Sequence, residues 1–468
     1  MIHDLKPYPA YKDSGVPWLG EVPEHWEVKR TDQAMLVRKS LIQPEGLRDK
    51  LVYHFSIPNV QRFGIGVRES GNSIDSAKIH LYESTLLVSR LNPRMGTITF
   101  AEPDPNILTV CSTEFVPLVP HACLGPFASY AFRAEPIRLE LNSRVDSATK
   151  SHQRVSPRDI EKLYLAWPPI PEQSAIVCYL DHIDRQIRRY ICLKQKLIKL
   201  LEEQKQAIIH QAVTRGLDPN VRLKSSGVEW LGDVPEHWDV MVAKRVCDVF
   251  IPQRDKPELN DIEGIPWVTL ESVGNTFVKK TNFFVKEQDA KAAGSRVLPS
   301  GSIIASCIGR FGITSITTEP VIINQQIQAY IPRCDISHMF FRYCIQVSKP
   351  YFEMQGNSTT LAYVDREAFS NMPLSLPPIL EQHAIAEALN IKLDRFDRST
   401  TQIQSEISLL REYRTRLIAD VVTEKLDVRE AAANLPEETD EMEVLDNELA
   451  RDEETTEEDL EGEPEEET

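Results

Sequence analysis

Two stretches of the sequence, residues 84–102 and 301–319, share a pattern suited to reading a base pair. They run STLLVSRLNPRMGTITFAE and GSIIASCIGRFGITSITTE, and with small gaps both predict strand, turn, strand. Each turn carries an arginine before a bulky residue and a glycine: Arg94-Met95-Gly96 and Arg310-Phe311-Gly312. An arginine at a hairpin tip can enter the major groove and bond guanine through two hydrogen bonds. A single turn arginine is more often merely solvated, but its presence in both copies favours DNA contact.

Other polar residues near these turns suit the same chemistry. The first stretch adds Arg90 and Asn92. After a strand-like run, the second copy has Asn324-Gln325-Gln326 where the first has Ser112-Thr113-Glu114. Asn and Gln suit adenine edges, and Glu can accept from cytosine. Two different base sequences would require such variation between the copies.

Two later segments are rich in small polar residues: residues 147–152, which contain Lys150, and residues 356–360, which contain Asn357, Ser358 and Thr359. Side chains of this kind often bond phosphates, and equally often they cap a turn. The sequence leaves both interpretations open.

Motifs that carry catalysis are missing from the sequence. There is no GxxxxGK[ST] phosphate loop, which excludes a helicase-like motor. No [ND]PP[YF] tetrapeptide is present to stack a flipped adenine. The eight cysteines include no CxxC pair, and His25 and His237 lack partners at metal or triad spacing. We therefore expect neither catalytic residues nor a bound metal or cofactor in this chain.

The two candidate DNA-contacting stretches lie within a larger duplication of the sequence. Residues 14–26 read SGVPWLGEVPEHW and residues 226–238 read SGVEWLGDVPEHW, a shift of 212. Their tryptophans are interpreted as packing residues, with base stacking as the less favoured alternative. A second pair, PPIPEQ at 168–173 and PPILEQ at 377–382, opens two long helical patterns. A period near 210 residues is too long for a solenoid and predicts two similar half-molecules.

Both helical patterns carry an apolar heptad seam, which predicts that they pack on each other as a coiled coil. Each helix spans roughly 40 residues, hence about 60 Å. The alternative is that each packs only on its own globular domain. The predicted seam residues are Ile176, Leu180, Ile183, Ile187, Leu197 and Leu201 in the first helix, and Leu389, Leu393, Phe396, Ile403, Ile407 and Leu410 in the second.

The remaining regions carry short β-type runs separated by Gly, Pro, Asn and Asp, typical of α/β domains, here with a strongly bent sheet. The predicted fold class is therefore α/β: two mixed α/β domains separated by two long helices, with pseudo-twofold symmetry between the two halves. The predicted divisions are residues 1–166 and 221–375 for the domains, 167–220 and 376–430 for the helices, and 431–468 for an acidic tail.

The net charge of −17 comes from the tail. Residues 437–468 hold 18 acidic residues and one arginine, so the rest of the chain is neutral overall. Its acidity therefore does not exclude a nucleic-acid partner. Its dense negative charge and few apolar residues predict that the tail is disordered. It serves either as a solubilising segment or as a competitor of DNA for a basic surface.

Cellular context follows from the same composition. The N-terminal residues show no apolar core of a secretory signal, and no apolar run is long enough to span a bilayer. Scattered cysteines are typical of reduced thiols. We expect a cytoplasmic protein without a membrane partner.

From residue 11 to about 427 the chain resembles the specificity subunits of type I restriction–modification systems. The resemblance rests on the duplicated SGVxWLGxVPEHW segment, the duplicated PPIxEQ helix starts and the two heptad helices between different domains. It implies two target-recognition domains that each read one half of a bipartite, asymmetric site in double-stranded DNA. It also implies that the two helices form an antiparallel coiled coil, which would set the distance between the half-sites. The acidic tail lies outside the family's usual pattern.

The resemblance also implies partners. Two modification subunits would carry S-adenosylmethionine-dependent methylation, and two restriction subunits would carry ATP- and Mg-dependent translocation and cleavage. This chain would hold none of these cofactors. The alternatives are a coiled-coil scaffold or degenerate orphan copy that does not read DNA, and, less favoured, a standalone nuclease or methyltransferase with unrecognised motifs.

Overall fold

The computed structural model describes residues 5–145, 153–252, 256–333, 336–356, 362–423 and 425–436. The chain divides into two compact units. Unit 1 comprises Met1–Lys194 and Ser405–Thr468, and unit 2 comprises Gln195–Gln404. Of the predicted acidic tail, residues 431–436 are described, and a short helix, Arg429–Ala433, ends among them. The prediction of disorder for residues 437–468 lies outside the described part of the chain.

The elements from the N-terminus to the end of the first long helix are β1 Tyr11–Asp13, β2 Glu21–Pro23, β3 Glu27–Arg30, α1 Thr31–Ala34, β4 Met35–Val37, β5 Leu41–Ile42, β6 Leu51–Phe55, α2 Ile57–Phe63, β7 Val67–Ser70, β8 Lys78–His80, β9 Thr85–Ser89, β10 Ile98–Ala101, β11 Leu108–Ser112, β12 Phe115–Pro120, α3 Gly125–Arg133, α4 Glu135–Ser143, α5 Pro157–Glu161, β13 Tyr164–Trp167 and α6 Ile170–Arg215.

The elements that follow are β14 Leu223–Ser225, β15 Asp233–Pro235, β16 Asp239–Val242, β17 Cys247–Phe250, β18 Ile265–Val268, β19 Phe284–Val285, α7 Glu287–Ala292, β20 Ile303–Ser306, β21 Thr314–Ile316, β22 Ile322–Ile323, β23 Ile327–Pro332, α8 His338–Val347, α9 Lys349–Gln355, α10 Arg366–Asn371, β24 Pro373–Leu376, α11 Ile379–Val422 and α12 Arg429–Ala433.

The α/β domain of unit 1 contains two main sheets. One is antiparallel in the order β10-β9-β12-β4, and the other is mixed in the order β5-β8-β11-β6-β7, with β11 parallel to β6. The prediction of a single strongly bent sheet is wrong. The chain turns sharply between β11 and β12, so consecutive strands join different hydrogen-bonded ladders.

The α/β domain of unit 2 repeats this plan. An antiparallel sheet runs in the order β17-β23-β20-β21, and a smaller sheet runs β19-β18-β22 with β18 parallel to β22. The predicted hairpins are confirmed in both units. In unit 1, β9 pairs with β10, and in unit 2, β20 pairs with β21.

Aromatic side chains fill the main cores. Trp26, Phe127 and Phe132 are fully buried in unit 1, and Trp238 and Phe340 are fully buried in unit 2. The other duplicated tryptophans are partly buried against the same cores, namely Trp18 and Trp230. The predicted packing role of the tryptophans is therefore confirmed.

The two long helices run antiparallel where they meet within each unit. In unit 1, Asp184 pairs with Arg414, and Lys194 pairs with Glu406 further along. In unit 2, Lys205 Nζ lies 2.6 Å from Asp397 Oδ1. Residue numbers rise along α6 as they fall along α11, which is the antiparallel order predicted. Gly216, with φ of +75°, follows the last residue of α6 and ends the helix.

Burial of the predicted seam varies along the helices. Eight of the twelve side chains are buried, three are partly buried, and Leu197 is 44% exposed. The buried members are Ile176, Leu180, Ile183, Ile187, Leu389, Leu393, Ile403 and Ile407. The ends of the helices also pack against domain cores. A strict heptad drifts around a straight helix, and two helices cover only a narrow strip of each other.

A buried glutamine fastens each long helix to its own domain. In α6, Gln173 Nε2 donates to the Pro168 carbonyl at 2.8 Å, and its Oε1 accepts from the Leu124 backbone N–H at 2.7 Å. Leu124 immediately precedes α3. In α11, Gln382 makes the same two bonds, to the Pro377 carbonyl and the Ser337 N–H. The duplicated Glu-Gln of the helix starts therefore links each helix to the first turn of a domain helix.

The preceding glutamate binds the duplicated histidine in both units and the following tryptophan in unit 1. Glu172 Oε1 accepts from Trp26 Nε1 at 3.0 Å, and its Oε2 lies 2.7 Å from His25 Nε2. In unit 2, Glu381 Oε2 lies 3.0 Å from His237 Nε2. The histidines therefore hold the duplicated segments against the helix starts.

Replacing Gln173 with leucine should lower the free energy of unfolding by about 2–3 kcal/mol. The substitution leaves the Leu124 N–H and the Pro168 carbonyl without their partner. Gln204→Ala, at an exposed position of the same helix, is the control and should change stability by less than about 0.5 kcal/mol. Urea unfolding of the full chain, followed by circular dichroism, measures both. Equal stability of the two variants would contradict the proposed fastening.

Candidate nucleic-acid interface

Three segments of unit 1 meet at one edge of its antiparallel sheet. The end of β9 bonds the turn before β12, since Arg90 N–H donates to the Glu114 carbonyl at 3.0 Å. A later segment bonds the same strand end. Val155 N–H donates to the Arg90 carbonyl at 2.9 Å, and Asn92 N–H donates to the Gln153 carbonyl at 2.8 Å. We call residues 90–96, 112–114 and 153–155 the recognition edge of unit 1.

Unit 2 makes the same three backbone bonds. Cys307 N–H donates to the Gln326 carbonyl at 3.0 Å, and Val364 N–H donates to the Cys307 carbonyl at 2.9 Å. Gly309 N–H donates to the Ala362 carbonyl at 2.9 Å. Residues 307–312, 324–326 and 362–364 form the recognition edge of unit 2. The two edges are thus structural duplicates.

The turn of each hairpin leaves its strand through a left-handed residue. Asn92 has φ of +46°, and Gly309 at the matching position has φ of +69°. Glycine adopts this conformation freely, and asparagine is among the few other residues that tolerate it. Just before it, Ser89 Oγ donates to the Leu91 carbonyl at 3.0 Å and Ser306 Oγ to the Ile308 carbonyl at 2.9 Å. These bonds hold the turn in the same shape in both units.

The recognition edge of unit 1 presents mainly charged side chains. Glu114 accepts from Arg90 Nε at 3.1 Å and from Arg154 Nε and Nη2, both at 3.1 Å. Both arginines keep part of their side chain exposed. Arg94 is exposed on the turn, and its carbonyl accepts from Arg138 Nη1 at 3.2 Å. One carboxylate therefore orients two of the three arginines that this edge presents.

The recognition edge of unit 2 is built on amides instead. Asn324 Nδ2 donates to Gln326 Oε1 at 3.1 Å, and Gln326 N–H donates to Asn324 Oδ1 at 3.2 Å. Arg310 and Gln325 are exposed beside them. The bulky residue after the turn arginine also differs in placement. Met95 is 59% exposed, whereas Phe311 is 5% exposed and packs on Phe352. The same backbone thus presents two different sets of polar groups.

The predicted site residues fall into two groups. Six lie on the recognition edges, namely Arg90, Asn92 and Arg94 in unit 1 and Arg310, Asn324 and Gln325 in unit 2. The other four lie outside the described residues, namely Lys150, Asn357, Ser358 and Thr359. Sequence reasoning missed Arg154, Tyr363 and the pairing role of Glu114. Arg154 and Tyr363 hold matching positions in the isolated bridges that end each edge, so a longer alignment of the two copies could have found them.

The described residues contain neither a candidate metal site nor a helix that could span a membrane. No group of three or more His, Cys, Asp or Glu side chains in this part of the chain could hold a metal ion. No helix there is long and apolar enough to cross a membrane.

The chain is similar to known proteins of one family. The family model for the type I restriction modification DNA specificity domain matches residues 235–409. A Methanocaldococcus jannaschii protein, provisionally named type I restriction enzyme MjaX specificity subunit, is 22% identical over 79% of this chain and 87% of its own length. The Escherichia coli EcoR124I/EcoR124II specificity subunit is 22% identical over 56% of this chain and 62% of its own.

A solved structure shares the fold. A chain from a structural study of the assembly and conformational transition of the type I R-M system superposes with a TM-score of 0.65 at 16% identity. The match covers 86% of this chain and 98% of that one. Residues 235–409 of this chain thus match the DNA specificity domain of type I restriction–modification systems, and the chain is similar to the specificity subunits named above.

Replacing Glu114 with glutamine should strengthen non-sequence-specific DNA binding and steepen its salt dependence. The change frees Arg90 and Arg154 from their carboxylate, and each additional phosphate contact adds about 0.9 to the slope of log affinity against log salt. Glu45→Gln, at an exposed position of the same domain, removes an equal charge away from the edge and should leave the slope unchanged. Fluorescence anisotropy with a random duplex at several salt concentrations measures both. Matching slopes for the two variants would count against this edge as the DNA surface.

Proposed function

We propose that this chain is the DNA sequence-specificity subunit of a type I restriction–modification complex. It reads a bipartite, asymmetric site in double-stranded DNA, one half with each recognition domain. The observation that carries the proposal is the duplicated recognition edge, which keeps three backbone hydrogen bonds and changes its side chains. The names of the relatives support the same assignment.

The side chains of the edges account for the asymmetry of the site. Arginine donates two hydrogen bonds to guanine, whereas asparagine and glutamine both donate to and accept from adenine. Unit 1 offers Arg90, Arg94 and Arg154 around one glutamate, and unit 2 offers one turn arginine with Asn324 and Gln325. The two domains therefore select different base sequences.

In this proposal recognition and catalysis belong to different chains. This chain contributes the DNA-reading surfaces and binds no cofactor. Two modification subunits methylate with S-adenosylmethionine, and two restriction subunits use ATP and Mg for translocation and cleavage. The complex acts in the cytoplasm, where its DNA substrate is present.

Each recognition domain is built as an exchangeable module. In unit 1 the chain enters through β3 and leaves through β13, which pair antiparallel with Glu27 opposite Trp167. In unit 2, β16 and β24 pair likewise, with Asp239 opposite Leu376. The ends of each domain are thus adjacent and hydrogen-bonded. This arrangement supports independent reading of the two half-sites.

Exchanging residues 27–166 for the matching domain of another specificity subunit should change one half-site and leave the other intact. The junctions fall in the paired strands β3 and β13, so the helices keep their attachment. Single-molecule sequencing of modified bases in a host lacking adenine methylation reads the outcome. The reciprocal exchange of residues 240–375 is the control and should change the other half-site. Alteration of both half-sites by either exchange would contradict the proposal.

Lengthening both helices by one turn should lengthen the unread spacer. A turn adds about 5.4 Å, against about 3.4 Å per base pair, so the spacer should grow by one or two base pairs. The register of the ion pairs Lys194–Glu406 and Lys205–Asp397 places the matched insertions after residues 199 and 401.

The control for this variant inserts the turn in α6 alone. That insertion shifts the two helices out of register and should abolish modification. An unchanged spacer in the doubly lengthened chain would rule out the coiled coil as the ruler.

A further inference from the structure

A cavity of about 630 Å³ lies in unit 2 beside its recognition edge. Its wall includes the hairpin turn at Phe311 and Gly312, the first residue of β21, and the α8 residues Arg342 and Gln346. The turn arginine, Arg310, directly precedes this wall in the sequence. The cavity and the base-reading turn therefore share one loop.

Three polar atoms that line the cavity are buried without a hydrogen-bond partner within the described residues: Arg342 Nε, Gln346 Oε1 and Thr314 Oγ1. Arg342 is only 7% exposed and Thr314 only 2% exposed. Neither an ion pair nor a hydrogen bond joins Arg342 to another described residue; it lies against the ring of Tyr343. Buried arginines are rarely left in this state, because removal from water penalises an unpaired charge.

The buried, mainly apolar surroundings of Arg342 make its positive charge unfavourable in the absence of a partner. Burial lowers the pKa of its guanidinium, and Tyr343 and Asp397 oppose that shift. α8 is otherwise almost entirely apolar, with Phe340, Phe341, Cys344 and Ile345 all buried. A methionine or leucine would fill this position more stably. The presence of arginine here is therefore better explained by binding of a ligand than by stabilisation of the fold.

Unit 1 has a cavity at the corresponding place. It measures about 530 Å³ and adjoins Gly96, the counterpart of Gly312. Four arginines line it against two aspartates: Arg133, Arg138, Arg188 and Arg414, with Asp181 and Asp184. Arg138 Nε is again buried without a partner among the described residues. Although the side chains differ, both copies keep a cationic cavity next to the turn that carries the base-reading arginine.

We propose that the cavity of unit 2 receives a backbone phosphate of the bound DNA, with Arg342 as its charge partner. Thr314 Oγ1 donates a second hydrogen bond, and the Gln346 amide can turn its N–H₂ toward the phosphate. Phosphate suits this site because its oxygens only accept, and guanidinium is their strongest donor among side chains. This inference rests on the proposed function, since the phosphate belongs to the duplex that the edge of unit 2 reads.

Arg342→Met tests the proposal in the full chain assembled with its modification subunits. Binding of a duplex that carries the recognition sequence should weaken at least about 10-fold. The slope of log affinity against log salt should fall by about 1, as for the loss of one phosphate contact. Without DNA, the thermal midpoint should stay equal or rise, because an uncompensated buried charge is removed. A merely structural arginine would instead lower that midpoint.

Lys291→Met is the matched control. It removes an exposed positive charge from α7 of the same unit and should leave both the affinity and the slope unchanged. Thr314→Val, nearly equal in shape, should weaken binding about 3-fold without lowering the thermal midpoint. This second variant decides the question if Arg342→Met fails to fold.

Wild-type affinity and slope in Arg342→Met, or in Thr314→Val when Arg342→Met does not fold, would overturn the phosphate site. That result leaves sequence-specific binding by the wild-type complex in place. Failure of the proposed function looks different, because the wild-type complex would then show no preference for any sequence.

Discussion

Each recognition domain depends on a buried glutamine that joins it to a long helix. Gln173 and Gln382 each accept from the backbone just before a domain helix and donate to the proline-rich segment that begins their own helix. The backbone hydrogen bonds within a helix of 46 residues, such as α6, do not fix its orientation relative to the domain beside it. The buried amide supplies that orientation, because both of its bonds are lost if the helix rotates. Glu172 adds a second fixed point through His25 and Trp26.

The same constraint explains how the side chains of the two domains can differ while each domain keeps its position on the long helices. Backbone bonds define the recognition edge, and paired strands close each domain where it meets the helices. Side chains on the edge contribute little to either set of bonds. One copy can therefore surround a glutamate with arginines while the other pairs asparagine with glutamine. A scaffold held by its backbone leaves its surface residues available for specificity.

Local signals made part of this structure predictable. Glycine and asparagine at the hairpin turns, alternating apolar runs and heptad seams all act over a few residues, and they located the hairpins and both long helices. The division into two sheets was not predictable, because strand pairing depends on contacts between distant residues such as β6 with β11. For the same reason the partners of Gln173 and Glu114 could not be inferred. Arg342 gave one local signal, an arginine in a mainly apolar helix, which is easily taken for a surface residue.

The central claim is that one chain reads two different half-sites at a fixed separation. The most direct measurement is a methylome of a host that lacks adenine methylation and expresses this chain with its cognate modification subunit. The account predicts a single bipartite motif with unlike halves and a constant spacer. Complete absence of modification despite a stable complex with the modification subunit, or modification at a continuous motif, would contradict it.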